Sequence, residues 1–122
     1  MTSFTDIEWT IPNVKAAVLQ HWDKLAAVQG LRKCRYRYGE IDVACAIGVC
    51  ISDETGAELE RQNLTGAAVN HSLVQHIFGL GDADDELLEF LNRLQSTHDW
   101  ACSPYNSVVR EIYLAALREL VE

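Results

Sequence analysis

CRYRYGEIDVACAIGVCI, running from Cys34 to Ile51, is the stretch from which the architecture of this chain is read. Its first five residues alternate apolar and cationic side chains (Cys34, Arg35, Tyr36, Arg37, Tyr38), the period-two pattern of a half-exposed strand. Gly39 to Asp42 read as a turn, and Val43 to Ile51 form an unbroken apolar run. Centring the turn there sets Tyr38 against Val43, Tyr36 against Cys45 and Cys34 against Ile47. Arg35 and Arg37 then lie over Ala44, Ala46 and Gly48, small residues that leave room for arginine stems. The preferred reading is a β-hairpin. Helix stays open for the second run, because periodicity does not decide a short, uniformly apolar segment.

A lone hairpin is marginal in water, so helices have to cover it. On the N-terminal side Thr10 is a capping residue with Pro12 in the first turn. Ile11, Val14, Val18, Trp22 and Leu25 recur at three- and four-residue steps, and Gly30 ends the helix. On the C-terminal side a short helix is expected over Gly56 to Asn63. A longer one runs from about Thr65 to Phe78 with Leu73, Val74, Ile77 and Phe78 inward, and stops at Gly79-Leu80-Gly81. Asp82 caps the next helix, whose stripe is Leu87, Leu88, Leu91 and Leu94. Ser103-Pro104 opens the last, packed through Val108, Val109, Ile112, Ala116 and Leu120. The expected class is α+β: four to five helices on one small hairpin, a single domain over residues 1–122.

Composition agrees with one soluble domain. The 122 residues are 48% hydrophobic and 23% charged, ordinary globular usage. No apolar run approaches the roughly 20 residues of a membrane span, and the N-terminus lacks the basic and apolar regions of a secretory signal. A cytoplasmic location is therefore expected, with the four cysteines as thiols. The net charge of −8 argues against general nucleic-acid binding. Charge is also uneven: Lys24, Arg32, Lys33, Arg35 and Arg37 cluster in one region, and Asp82, Asp84, Asp85, Glu86 and Glu89 in another.

No glycine-rich phosphate loop, GxSxG elbow, HExxH or CxxC is present. Cys34, Cys45, Cys50, His98 and Cys102 are zinc-type ligands, but they do not fall in the close pairs of structural zinc sites, and no metal or cofactor is expected. Buried hydrophobic cysteines are the simpler reading. Cys45 with His98 and Asp99 has the residue types of a thiol triad, although an apolar run raises a thiol's pKa. His98-Asp99 reads either as a ligand-binding or acid/base pair, or as a cation near a helix C-terminus. Arg35 and Arg37 suit a phosphate or carboxylate, or simply a solvated strand face.

Three blocks taken together, CRYRYGEIDVACAIGVCISDE at 34–54, the glutamates of ELERQ, and LQSTHD at 94–99, carry a resemblance. The chain resembles small uncharacterised proteins of phages, prophages and their bacterial hosts, which show a C-x-Y-R strand, a CAIG-x-L-I-P-D segment and a later L-Q-x-x-H-D. About half the chain is covered. Ser52 stands where proline is common and Cys50 where leucine is common. The resemblance implies an origin, with no activity attached to it. It singles out Cys45, Asp53, His98 and Asp99, either as a site or as a buried polar latch with His98 on a carboxylate. The leading expectation is an accessory protein that binds a macromolecule, most readily a protein. A small enzyme or ligand binder using His98, Asp99 and Cys45 is the alternative, and a zinc-stapled domain a further one.

Overall fold

Thr10 opens the first helix. In the computed structural model its hydroxyl accepts a hydrogen bond from Asn13 N at 3.2 Å, and Pro12 sits in the first turn, where its missing N–H costs nothing. The structure describes residues 4–26, 36–38, 41–65, 67–101 and 107–122, with the backbone alone at 37, 38, 41–43, 107 and 108. Helix α1 spans Ile11–Gln20. The backbone leaves helical geometry at His21 and resumes as α2, Trp22–Ala26. Val14, Val18 and Leu25 are fully buried and Ile11 and Trp22 pack beside them, so the stripe read from the sequence faces the core across that break. Gly30 lies outside the described residues.

Helix α3, Asp53–Arg61, begins three residues before its expected start. Ser52 is its cap, with Oγ accepting from Thr55 N at 3.2 Å. Asp6 completes this end: its carboxylate accepts from Ser52 N, Ser52 Oγ and Thr55 Oγ1 at 2.8 to 3.0 Å, which pins the N-terminal segment to α3. Helix α4, Ser72–Phe78, is shorter than expected at its start and is capped by His71. Its end is where the glycines place it. Gly79 adopts φ +78°, Gly79 N donates to His76 O and Leu80 N to Gln75 O, and Leu80 turns into the core. Helix α5, Asp85–Ala101, is capped by Asp84, whose Oδ1 accepts from Leu87 N at 2.9 Å; Asp82, the expected cap, lies outside it.

Helix α6, Ser107–Val121, packs on α5 along the most extensive helix interface and also meets α1. Its inward face only partly matches the expected one. Leu117 and Val121 are buried, Leu114 and the expected Leu120 pack beside them, and Ile112 is 61% exposed. The helix carries two apolar stripes, and contact with α5 selects the one whose next turn holds Arg110. That guanidinium donates to Ala26 O.

The α+β expectation is corrected. The protein is mostly helical, and no hairpin organises it. Arg37–Tyr38 and Ile41–Ala44 make only a brief antiparallel contact: Arg37 lies against Ala44, as in the predicted register, but Tyr38 lies against Ile41 instead of Val43. From Cys45 the chain turns into a 3-10 turn, Gly48–Cys50. The reason lies in where the backbone donors go. Ala46 N donates to the His98 ring, Gly48 N to Cys45 Sγ, Val49 N to Cys45 O, Cys50 N to Ile47 O and Ile51 N to Gly48 O. These local and side-chain bonds consume the groups a strand ladder would need. The run from Ala44 to Ile51 is uniformly apolar because it crosses the core and is buried on every side.

Candidate functional site

Helix α5 buries Leu87, Leu91, Leu94, His98 and Ala101, a stripe at four- and three-residue steps. His98 is therefore a core position in the last turn of this helix. It is 1% exposed. Its Nδ1 accepts from Ala46 N at 3.2 Å, and its Nε2 lies 2.8 Å from Leu25 O. A carbonyl only accepts, so the ring proton is on Nε2. One imidazole thus ties α5 to α2 and to the buried apolar run.

A second link lies one turn earlier. Gln95 Nε2 donates to Tyr36 Oη at 3.0 Å, its Oε1 accepts from Val69 N at 2.8 Å, and Tyr36 Oη donates to Ala67 O at 2.7 Å. Two of the three sequence blocks of the resemblance therefore converge: Tyr36 and Ala46 of the first meet Gln95 and His98 of the third. Gly48 completes the contact. A Cβ built there would lie 1.9 Å from Tyr36 O. Both ring nitrogens of His98 and both ends of the Gln95 amide are engaged by protein groups inside the core, an arrangement that holds segments together and presents little to a substrate.

The other sequence candidates lie elsewhere. Cys45 is buried one residue from the His98 contact, and its Sγ accepts from Gly48 N; Cys45 and Cys50 are thiols, not a disulfide. Asp53 is exposed in the first turn of α3 and Asp99 is exposed on α5, while the two hydrogen bonds described for the His98 ring go to backbone groups. Arg35, Cys34 and Cys102 lie outside the described residues, and Arg37 is described by its backbone alone. Among the described residues no cluster of three or more His, Cys, Asp or Glu side chains is placed to hold a metal ion.

Burial shifts two acids of this core. The Cys50 thiol is pushed up from 9.0 to about 12 by desolvation. Burial also raises the Tyr36 phenol well above its ordinary 10.0; nearby Cys45 adds to this, the Gln95 hydrogen bond opposes it, and Asp99 adds a little more. Above pH 9 the unfolded chain releases the Cys50 proton while the folded chain keeps it, so stability falls as pH rises, from about 9 through about 12. Tyr36 acts in the same direction from about 10 upward. Between pH 9 and 10.5 the thiol alone costs roughly 2 kcal/mol. Urea unfolding of Cys50→Ala should show a correspondingly smaller alkaline loss than wild type. Equal losses would mean that the thiol ionises in the folded state.

The surface offers a different kind of site. Three adjoining depressions of about 350, 360 and 450 Å³ run along the seam between α1 and α5. The first two share Trp9, Asp82, Ala83 and Leu87, and the third shares Ile11 and Glu86 with the second. Together they form one trough. Trp9 is the partition near one end, held by its Nε1 donating to Phe78 O at 2.9 Å and by stacking on Phe78 at 5.4 Å. Ile7, Leu80 and Leu87 supply apolar floor there, and Phe90 and Leu120 supply it at the far end.

The carboxylates of the trough are not balanced along its length. Glu8, Asp82, Asp84 and Glu86 line the Trp9 end. Asp84 caps α5, but Glu8, Asp82 and Glu86 have no ion-pair partner among the described residues, unlike Glu58 with Arg61, Glu89 with Arg93 and Glu122 with Arg118. Two helix N-termini, of α1 and α5, open onto this end and explain part of the acidity. Their dipoles are worth about half a positive charge each, so about three of the four negative charges stay unmatched. At the far end Lys15 and Arg93 face Glu86, Glu89 and Glu119, and Lys15 lies over the Phe90 ring at 5.9 Å. The sequence pointed to the acidic block but not to the trough, because Trp9 and Asp82 are brought together only by the packing of the N-terminal segment.

Among the described residues no helix is long and apolar enough to cross a membrane. Comparisons with protein families, with curated proteins and with solved structures returned no significant match.

Proposed function

We propose that this chain acts by binding, and that it holds a positively charged segment of a partner protein in the trough beside Trp9. The observation that carries this reading is the set of unpaired carboxylates around an apolar, concave floor. A cationic segment with apolar side chains complements both features, and the overall charge of −8 speeds its approach while repelling phosphate backbones. The resemblance to phage and prophage proteins supports a mobile-element setting, with a host protein as the partner.

The test separates the trough from net charge. The probe is a synthetic twelve-residue peptide with lysines in one half and leucines at helical spacing in the other, titrated by calorimetry at low salt. The double variant Asp82→Asn/Glu86→Gln should weaken binding at least fivefold. Glu60→Gln/Glu111→Gln, equal in charge but exposed elsewhere, should change it less than twofold. Equal weakening by both pairs would reduce the effect to diffuse charge and remove the trough from the function.

A further inference from the structure

We infer that the trough reads its partner at two points of opposite character: a lysine or arginine side chain seated on Trp9, and an apolar side chain seated against Phe90 and Leu120. This rests on the trough being the binding face and adds the kind of segment it selects.

The Trp9 end is built for a cation. The indole is fixed in place by its Nε1 bond to Phe78 O and by its stack on Phe78, so seating a ligand costs no ordering of the ring. Its remaining surface separates two depressions whose walls carry Asp82, with Glu8 on one side and Asp84 and Glu86 on the other. A cation against an indole that is also flanked by carboxylates gains from both the ring quadrupole and the anions. Tryptophan is the best of the aromatic side chains for this.

The far end is built differently. Its ring, Phe90, is already covered by Lys15, and Lys15 and Arg93 offset two of its three carboxylates, so a partner cation gains less there than beside Trp9. Leu120 and the half-buried edge of Phe90 are what it offers. The two ends are separated by the stretch of α5 from Asp85 to Arg93, about 12 Å at 1.5 Å per residue. That distance matches two to three turns of a partner helix. The structure thus selects an amphipathic segment with its basic residues at one end and its apolar anchor at the other.

The same peptide tests this. Changing its lysines to glutamine should cost at least tenfold in affinity for wild type but less than threefold for Asp82→Asn/Glu86→Gln. Changing its leucines to alanine should cost the same for both proteins. A nitroxide at the basic end of the peptide should broaden the Trp9 indole N–H signal, and one at the apolar end the Leu120 methyl signals. Equal losses in both backgrounds, or broadening at the opposite ends, would overturn the two-point reading while leaving the trough as the binding face. No binding of any peptide would remove the trough itself.

Discussion

Gly48→Ala should destroy the cooperative fold or lower its melting temperature by at least about 15 °C, an effect of more than about 4 kcal/mol. A methyl group there would lie 1.9 Å from Tyr36 O, 2.8 Å from Tyr36 C and 3.1 Å from Tyr36 Cα. The obstacle is backbone, so no rotamer change relieves it. Shifting Tyr36 would in turn break its phenolic bonds to Ala67 and Gln95 and its N–H bond to Thr65 O. A domain of this size has only about 5–15 kcal/mol of stability in total, so this one contact is a large part of it. Gly81→Ala is the control. Nothing lies within 4 Å of a Cβ at that position, and the change should stay within about 0.5 kcal/mol. Thermal unfolding followed by circular dichroism measures both; a Gly48→Ala protein melting within a few degrees of wild type would show that the chain passes Tyr36 at a greater distance.

His98→Ala should cost about 4 kcal/mol. Ala46 N and Leu25 O would each lose a buried partner, at about 1–3 kcal/mol apiece, and the missing ring leaves a cavity beside Leu94 and Ala101 that adds to the loss. Asp99→Asn, next in sequence but exposed, should cost at most about 1 kcal/mol. The contrast distinguishes a structural histidine from half of a functional pair, because a functional pair would leave stability intact in both variants. An independent check is the ring itself: long-range proton–nitrogen spectra should place the proton on Nε2. A proton on Nδ1, or a His98→Ala protein as stable as wild type, would rule out the link between α5, α2 and the buried run.

Much of this architecture is legible in local chemistry. Thr10 followed by Pro12 marks the start of α1, and Gly79 followed by an apolar residue marks the end of α4, because caps and left-handed turns depend on a few neighbouring residues. The stripes of α1 and α5 are read correctly apart from Leu88, which lies outside the packed face, since each helix has one main apolar face. Extending the α5 stripe by one step lands on His98, a periodicity signal for burial that reading His98-Asp99 as an isolated pair passes over. The candidate site is less legible. Of Cys45, Asp53, His98 and Asp99, which the resemblance singles out, only the first and third are buried, and they lie in a region held together by backbone hydrogen bonds.

What local sequence settles here is the helical punctuation and the single-faced stripes, since those rest on interactions within one turn. The path of Cys45 to Ile51, the choice of face on α6 and the trough beside Trp9 are settled by packing. A uniformly apolar run has no preferred face until its N–H groups find acceptors, and here they find the His98 ring, the Cys45 sulfur and their own neighbours. α6 has two stripes of similar quality until α5 covers one. The trough is a shape between elements some seventy residues apart in the chain, held by Trp9 Nε1 on Phe78 O, and no single segment encodes it.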